Sequence, residues 1–314
     1  MNKIFIYISA LAAMLAVSCE KEYDYSRWYE DGDSAEEVVP PSEITEYDIS
    51  AMSFNIKNAN DDKGTSNSWE SRRAGVCAMI KDKKPLVVGF QECFHSQRNY
   101  VLQQCTEYEG YGVARDNGSA TSGGGETVSI IWNRNYLELV KCGTYWLSQT
   151  PDKVSYGWGA SFHRITSWVI LRKKDTGEQF MFMNTHLDHQ VQEAKENGMA
   201  LNKQKMDEIN IQGLPVIYLG DFNSDQSASW MLEVENYMNN ARKTAPLSDN
   251  FLTSHGYGKK NQQIDHIYYS NLKPLSFETI RSKYSGIIYI SDHYPIMAKF
   301  DFEGKGGNEN EEDN

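Results

Sequence analysis

The chain has 314 residues, a formal net charge of −12 and five cysteines, and 40% of its residues are hydrophobic. The negative charge belongs to the two ends, because residues 20–50 hold eleven acids against Lys21 and Arg27, and residues 304–314 hold four acids against Lys305. The region between them is close to neutral, so its net charge indicates neither a strong field for binding polyanions nor one that repels acids.

Residues 1–18 have the pattern of a signal peptide: Lys3 precedes an apolar stretch over residues 4–17 that is too short to span a bilayer. The stretch ends at Ala16-Val17-Ser18-Cys19, which resembles a bacterial lipobox with Cys19 as the lipidated residue. We therefore expect an exported lipoprotein, anchored to the outer membrane or periplasmic face of a bacterial cell envelope. The alternative is a plain secretory signal in which Cys19 is incidental.

Composition divides the rest of the chain into three parts. Residues 19–50 are acidic, contain Pro40-Pro41 and lack a periodic apolar pattern, which predicts a flexible tether. Residues 304–314 form a similar acidic tail, predicted to be disordered. Residues 51–303 show no internal linker or repeat and are long enough for one large two-layer domain or two small ones. We expect one catalytic domain. This core holds four cysteines, which leave both disulfides and free buried thiols open: Cys77, Cys93, Cys105 and Cys142.

Several predicted strands of the core end on a polar side chain. The run at 52–54 leads to Asn55, the run at 86–90 leads to Gln91 and Glu92, and the run at 180–183 leads to Asn184 and His186. Between these strands, residues 69–81 have helical spacing with Asn67 or Ser68 as the N-cap, and residues 191–211 predict a long polar helix in an outer layer.

The segment Leu219-Gly220-Asp221-Phe222-Asn223 carries the strongest chemical signal. It follows a buried strand at 215–218, so the strand ends on a carboxylate with a carboxamide two residues later. Side chains two apart in a strand face the same way. An acid beside an amide donor suits a reaction in which water is activated and a developing anion is stabilised. The alternative is a turn in which both side chains cap backbone groups.

With these residues in order, the core closely resembles the endonuclease/exonuclease/phosphatase superfamily, which has the deoxyribonuclease-I-like fold. The resemblance implies an α/β fold, a four-layer α/β sandwich of two packed mixed β-sheets flanked by helices, with the site where the strands end. Six segments in family order carry it: Phe54-Asn55, Gln91-Glu92, Asn184-Thr185-His186, Gly220-Asp221-Phe222-Asn223, Ile264-Asp265-His266 and Ser291-Asp292-His293.

The resemblance implies a divalent-metal site. Glu92 would be the principal ligand, Asn55 would lie beside it, and Asp292 would be a second metal contact or water partner. Oxygen ligands of this kind suit Mg²⁺ or Mn²⁺.

The resemblance also implies catalytic roles. Asp221 would orient and deprotonate the attacking water, Asn223 would hold a phosphoryl oxygen, and His293 would contact the phosphate with its ring held by Asp265.

A second group would complete the phosphate site. His186 would donate to the phosphate or to the leaving oxygen, Glu126 would hold the tautomer of His186, and Arg164 and Asn184 would bind substrate.

The expected function is therefore metal-dependent hydrolysis of a phosphodiester or phosphomonoester, by a monomer. The substrate could be a small molecule, a lipid headgroup or nucleic acid, because the fold alone does not determine it. Two alternatives are an extracellular nuclease that scavenges nucleic acid and a surface lipoprotein that kept the fold for binding but lost turnover. The complete set Glu92, Asp221, Asn223, Asp265 and His293 favours an enzyme.

Overall fold

The structure, a computed structural model, describes residues 44–303. The predicted signal peptide, Cys19, most of the predicted tether and the acidic tail lie outside these residues. The folded core begins before Ala51, because Ile49 and Ser50 belong to the first strand. Asp48 also contacts this core, with its Oδ1 2.7 Å from the ammonium of Lys173. The predicted tether therefore extends too far into the chain.

The described residues form five α-helices and thirteen strands, two of which are only two residues long. The helices are α1 (Trp69–Lys83), α2 (His95–Gln104), α3 (Gln192–Ile209), α4 (Ser229–Val234) and α5 (Ala241–Thr244). The strands are β1 (Ile49–Asn55), β2 (Val87–Cys93), β3 (Tyr108–Tyr111), β4 (Thr127–Asn133), β5 (Leu137–Trp146), β6 (Ile165–Lys173), β7 (Gln179–His186), β8 (Val216–Asp221), β9 (Asn239–Asn240), β10 (Leu247–Ser248), β11 (Asp265–Ser270), β12 (Leu272–Thr279) and β13 (Ile296–Phe302).

The strands form two mixed sheets. The first has the order β10-β12-β13-β1-β2-β4-β3, and the second has the order β5-β6-β7-β8-β11-β9. Most neighbours are antiparallel, but three pairs are parallel: β1 with β2, β7 with β8, and the short β10 with β12. Apolar side chains from both sheets, such as Ile49, Val87, Phe182 and Ile217, form one buried cluster between them. The predicted pair of packed mixed sheets is confirmed.

Helices cover the outer faces and complete the four layers. α1 buries Val76 and Ile80 against the first sheet, and α3 buries Met199 and Met206 against the second. α1 begins after Ser68, whose hydroxyl accepts a hydrogen bond from the Ser71 amide, as expected of an N-cap. Within residues 44–303, the helices are too short or too polar to cross a membrane.

The register of the strands brings several predicted site residues to one edge. In the second sheet, Asp221 pairs with His186 across the parallel β7–β8 ladder and with Asp265 across the antiparallel β8–β11 ladder. In the first sheet, Asn55 is the last residue of β1 and Glu92 is the second-last residue of β2. Because the two sheets pack face to face, both sets of side chains meet at the same end of the sandwich.

Asn184 joins the two sheets instead of facing the site. Its amide donates to the carbonyls of Phe90 (2.9 Å) and Ser129 (3.0 Å), and its oxygen accepts from Gln91 Nε2 (2.7 Å). Close packing here requires Gly89, because a Cβ on that residue would lie 2.7 Å from the Asn184 Cγ atom. The structure therefore corrects the prediction that Asn184 binds substrate: its side chain is fully buried and its hydrogen bonds are used inside the protein.

We expect Asn184→Leu to lower the free energy of unfolding by about 2–4 kcal/mol, because it leaves buried polar partners unsatisfied. Asn197→Leu is the matched control. Asn197 lies on α3 and donates to the Glu193 carbonyl, so its replacement should change stability by about 0.5 kcal/mol or less. Urea unfolding measures both. An Asn184→Leu protein with wild-type stability but weakened substrate binding would restore the original prediction.

Candidate active site

The carboxylate of Asp221 lies at the centre of the site. Its Oδ2 atom accepts a hydrogen bond from Asn55 Nδ2 (3.0 Å) and lies 3.6 Å from His186 Nε2 and 3.9 Å from His293 Nε2. Its Oδ1 atom accepts from the backbone amide of Asn223 (2.8 Å). Residues from both sheets therefore converge on this one side chain, which is 2% exposed.

Asp221 is an unusually basic carboxylate. Burial raises its pKa to about 7, and the negative charge of Asp265 acts in the same direction, while His293 and two hydrogen bonds oppose them. A carboxylate with a pKa near neutrality accepts a proton from water more readily than an exposed one. The side chain thus has the position and the basicity of a general base.

His293 and Asp265 form a buried pair beside it. His293 Nδ1 donates to Asp265 Oδ2 at 2.8 Å. Burial lowers the pKa of His293, but the neighbouring Asp265 carboxylate outweighs this effect and raises the pKa to about 10. The imidazole is therefore held as a cation, with its second nitrogen directed towards Asp221. A cation in this position can stabilise negative charge on a phosphoryl group.

Asn55 and Asn223 occupy the rim of the same cluster. The amide nitrogen of Asn55 donates to Glu92 (3.1 Å) as well as to Asp221, and its oxygen accepts from the Lys57 amide (3.1 Å). Asn55 therefore orients the two carboxylates and lies beside Glu92. Asn223 has a left-handed backbone (φ 47°) and donates to the Leu187 carbonyl.

Glu92 and Asp292 provide a site suited to a divalent cation. Both carboxylates lie near the ammonium of Lys57, at 3.6 Å and 3.7 Å from its Nζ atom. Burial would raise the pKa of Glu92, but the positive charge of Lys57, together with that of His293, lowers it, so Glu92 is ionised. Ionised oxygen donors that already gather around a positive charge fit Mg²⁺ or Mn²⁺.

Asp221, Asp265 and His293 form a second group with metal-ligand chemistry, and their ligand atoms lie within 4.8 Å of one another. The hydrogen bond between His293 and Asp265 orients the ring and leaves Nε2 directed towards Asp221. This geometry suits proton handling. A histidine whose other ring N–H is held by a carboxylate is also a common arrangement for binding a metal.

His186 and Arg164 line a small cavity next to the Asp221 cluster. The pKa of His186 lies well below its ordinary value because the ring is buried, and the positive charge of Arg164 adds to the effect. Arg164 is 6% exposed and donates from Nη2 to His189 Nδ1 at 3.0 Å. A neutral histidine beside a buried guanidinium is compatible with the predicted contacts to a phosphate.

Glu126 lines the same cavity, but its carboxylate accepts a hydrogen bond from Arg115 Nη1 at 2.5 Å. Burial raises the pKa of Glu126 to about 7. We therefore correct the predicted role of Glu126: the side chain that it orients is Arg115 and not His186.

Three site residues were not predicted from the sequence: Lys57, Arg72 and Arg115. Lys57 had a weak signal, because it follows the strand residue Asn55 by two positions. Arg72 gave no signal, since an arginine in a helix is usually exposed, yet it is 1% exposed here and donates to the Ile290 carbonyl at 3.2 Å. Arg115 gave none either, because it lies in a loop.

The cysteines outside this site are free thiols in the structure. Cys77, Cys93 and Cys105 are buried and Cys142 is half-buried. Of the two possibilities that the sequence left open, the described residues therefore show free thiols.

Comparisons with known proteins agree with this geometry. A viral relative, uncharacterized protein L388 of Acanthamoeba polyphaga mimivirus, is 25% identical over 265 residues, which are 74% of this chain and 92% of that protein.

Two solved structures from Bacteroides are similar in fold and sequence. An endonuclease/exonuclease/phosphatase from Bacteroides vulgatus is 30% identical with a TM-score of 0.75, covering 81% of this chain and 99% of that one. The mannosyl-6-phosphatase Bt3783 of Bacteroides thetaiotaomicron is 29% identical with a TM-score of 0.74, covering 81% of this chain and all of that one.

The model of the endonuclease/exonuclease/phosphatase family matches residues 52–293, which include all six segments on which the resemblance rests. The chain belongs to the endonuclease/exonuclease/phosphatase family.

Proposed function

We propose that the protein is a divalent-metal-dependent hydrolase of phosphate esters that uses Asp221 to activate water. The observation that carries this proposal is the convergence on Asp221 of His186 at 3.6 Å and of the His293–Asp265 pair at 3.9 Å. A basic carboxylate beside one neutral and one cationic histidine is the set of groups that water attack on phosphorus needs. Membership of the family supports the same reaction class.

In this mechanism, Asp221 accepts a proton from the attacking water while Asn55 holds the carboxylate in place. The imidazolium of His293 stabilises the negative charge that develops on the phosphoryl oxygens, and Asn223 contacts the same oxygens through its amide. A divalent cation bound by Glu92 and Asp292 would supply further positive charge to the phosphoryl group. Neutral His186 donates a hydrogen bond to the leaving oxygen, with Arg164 beside it.

Among substrates, we favour a phosphorylated sugar. The likeness to a mannosyl-6-phosphatase at 29% identity supports this choice. Two exposed aromatic rings also support it: Phe162 is 46% exposed, and Tyr156, whose ring lies 3.8 Å from that of His163, is 59% exposed. The Phe162 ring lies 5.0 Å from the guanidinium of Arg115 and 5.9 Å from that of Arg164. An exposed aromatic face beside a guanidinium can hold a sugar ring next to its phosphate.

The reaction is tested by assaying the full chain with Mg²⁺, and then with EDTA, against sugar phosphates, inositol phosphates, sphingomyelin, RNA and single-stranded DNA. We expect hydrolysis of a sugar phosphate that EDTA abolishes. Asp221→Asn should lower kcat by about 10²–10⁴-fold with little change in substrate affinity, because the acid acts on the nucleophile.

Asp225→Asn is the matched control, because it is the same substitution at an exposed position four residues later, and it should retain wild-type kcat. Activity that survives both EDTA and Asp221→Asn would exclude the proposed mechanism. Phosphate-ester binding without turnover of any of these substrates would favour the binding-protein alternative.

The orienting role of Asp265 gives a second test. His293→Ala should reduce both rate and affinity, and Asp265→Asn should have a smaller effect of the same kind, because Asp265 acts through the His293 ring. The double variant should therefore be no slower than His293→Ala alone. Rates are compared at a temperature where all three variants remain folded. If the two losses multiply, Asp265 must act on substrate, water or metal by itself.

We also propose that the enzyme works as a monomer in the bacterial cell envelope, tethered by a lipid on Cys19. The lipobox-like sequence at residues 16–19 supports the anchor. Wild-type protein expressed in a bacterium should incorporate labelled palmitate and fractionate with membranes, and Cys19→Ser should do neither. A Cys19→Ser protein that still carries the label would show that the anchor lies elsewhere.

A further inference from the structure

The ammonium of Lys57 lies among three carboxylates, those of Glu92 and Asp292 in the candidate metal site and that of Asp61 beside it. Its Nζ atom is 3.0 Å from Asp61 Oδ2, 3.6 Å from Glu92 Oε2 and 3.7 Å from Asp292 Oδ2. The Lys57 side chain is 19% exposed and that of Glu92 is 18% exposed. A positive charge that belongs to the protein therefore already occupies part of the space between the carboxylates predicted to bind a divalent ion.

The backbone holds Lys57 in this position by several contacts. Lys57 has a left-handed conformation (φ 55°), and its amide donates to Asn55 Oδ1 at 3.1 Å. Its carbonyl accepts from Gln97 Nε2 at 2.8 Å and from Arg72 Nη2. A left-handed backbone is costly for a residue with a Cβ, so these bonds are needed to keep the side chain directed into the site.

Buried Arg72 links this loop to the loop that carries Asp292. One of its nitrogens donates both to the Ile56 carbonyl and to the Ile290 carbonyl, two residues before Asp292. Arg72, which is 1% exposed, thus holds the backbones of the two loops together. We regard the ammonium as a built part of the site and not as a mobile surface lysine.

On the basis of the proposed function, we infer that Lys57 is a resident cation of the active site: its ammonium lies near both Glu92 and Asp292, limits the site to one divalent ion and weakens the binding of that ion. The three carboxylates and the ammonium carry a net charge of −2, which one divalent ion neutralises. Adding a second divalent ion beside a fixed ammonium would place like charges within a few ångströms, which is unfavourable at any protein dielectric constant.

The inference is tested by titrating Mn²⁺ into the metal-free full chain and measuring heat. We expect wild type to bind one Mn²⁺ at the site that Glu92→Gln abolishes. Lys57→Gln should bind Mn²⁺ more tightly by about tenfold or more, because a positive charge is removed next to the ion. Lys57→Arg keeps the charge and should stay within about threefold of wild type.

Lys63→Gln is the control for bulk charge, because it makes the same charge change in the same loop. Lys63 is exposed and contacts Asn60 at 2.9 Å, away from the site. The affinity of the Lys63→Gln protein for Mn²⁺ should equal that of wild type. A second measurement follows the melting temperature with and without Mn²⁺: the stabilisation by Mn²⁺ should be larger for Lys57→Gln than for wild type, because the metal then replaces the missing charge.

The outcomes distinguish a failure of the role inferred for Lys57 from a failure of the proposed metal dependence. Unchanged or weaker Mn²⁺ binding by Lys57→Gln, or two ions bound to wild type, would overturn the role of Lys57 and leave the proposed hydrolase intact. Failure of both wild type and Lys57→Gln to bind Mn²⁺ would overturn the metal dependence itself, and the role of Lys57 with it. Binding by Lys57→Gln when wild type shows none would support the inference.

Discussion

The arrangement of the site depends on one constraint: the charge of Asp221 is buried where two sheets meet. A buried carboxylate is costly unless hydrogen bonds and opposite charges surround it. Asn55 approaches from the first sheet, and His186 from the second, with His293 from a loop between strands. The groups that stabilise the buried charge are the same groups that would act on a phosphate. The cluster therefore contributes both to the stability of the fold and to the proposed reaction.

The same constraint explains how positive and negative groups are distributed. Acidic groups on one side, Glu92, Asp292 and Asp61, share the ammonium of Lys57. Basic groups on the other side, Arg115 and Arg164, have carboxylate partners in Glu126 and Asp188. Each half of the site thus contains paired opposite charges before any ligand binds, and the acidic half keeps a net charge of −2. Such compensation keeps the region folded while leaving a gradient of charge across the Asp221 cluster for an anionic substrate.

Buried polar residues also keep the sheets in register. Asn184 joins β7 to β2 and β4 through three hydrogen bonds. Behind it, fully buried Asn202 on α3 accepts from the hydroxyl of Tyr145 and donates to that of Tyr218, so the helix is tied to the second sheet. Geometry at the end of the strands therefore depends on polar contacts well inside the sandwich, where a slip of one residue would move Asp221 away from His186.

The sequence by itself determined the strand-end positions of Glu92, His186 and Asp221, because runs of apolar residues are local signals. The resemblance of six ordered segments to a known family implied the fold class and the presence of Asp265 and His293 in the same site. Only the tertiary structure decided the partners of buried polar side chains. Asn184 joins the two sheets, Glu126 accepts a hydrogen bond from Arg115, and the Lys57 ammonium lies beside the Glu92 carboxylate. Those partners come from strands and loops far apart in the chain, so they become neighbours only when the two sheets pack together.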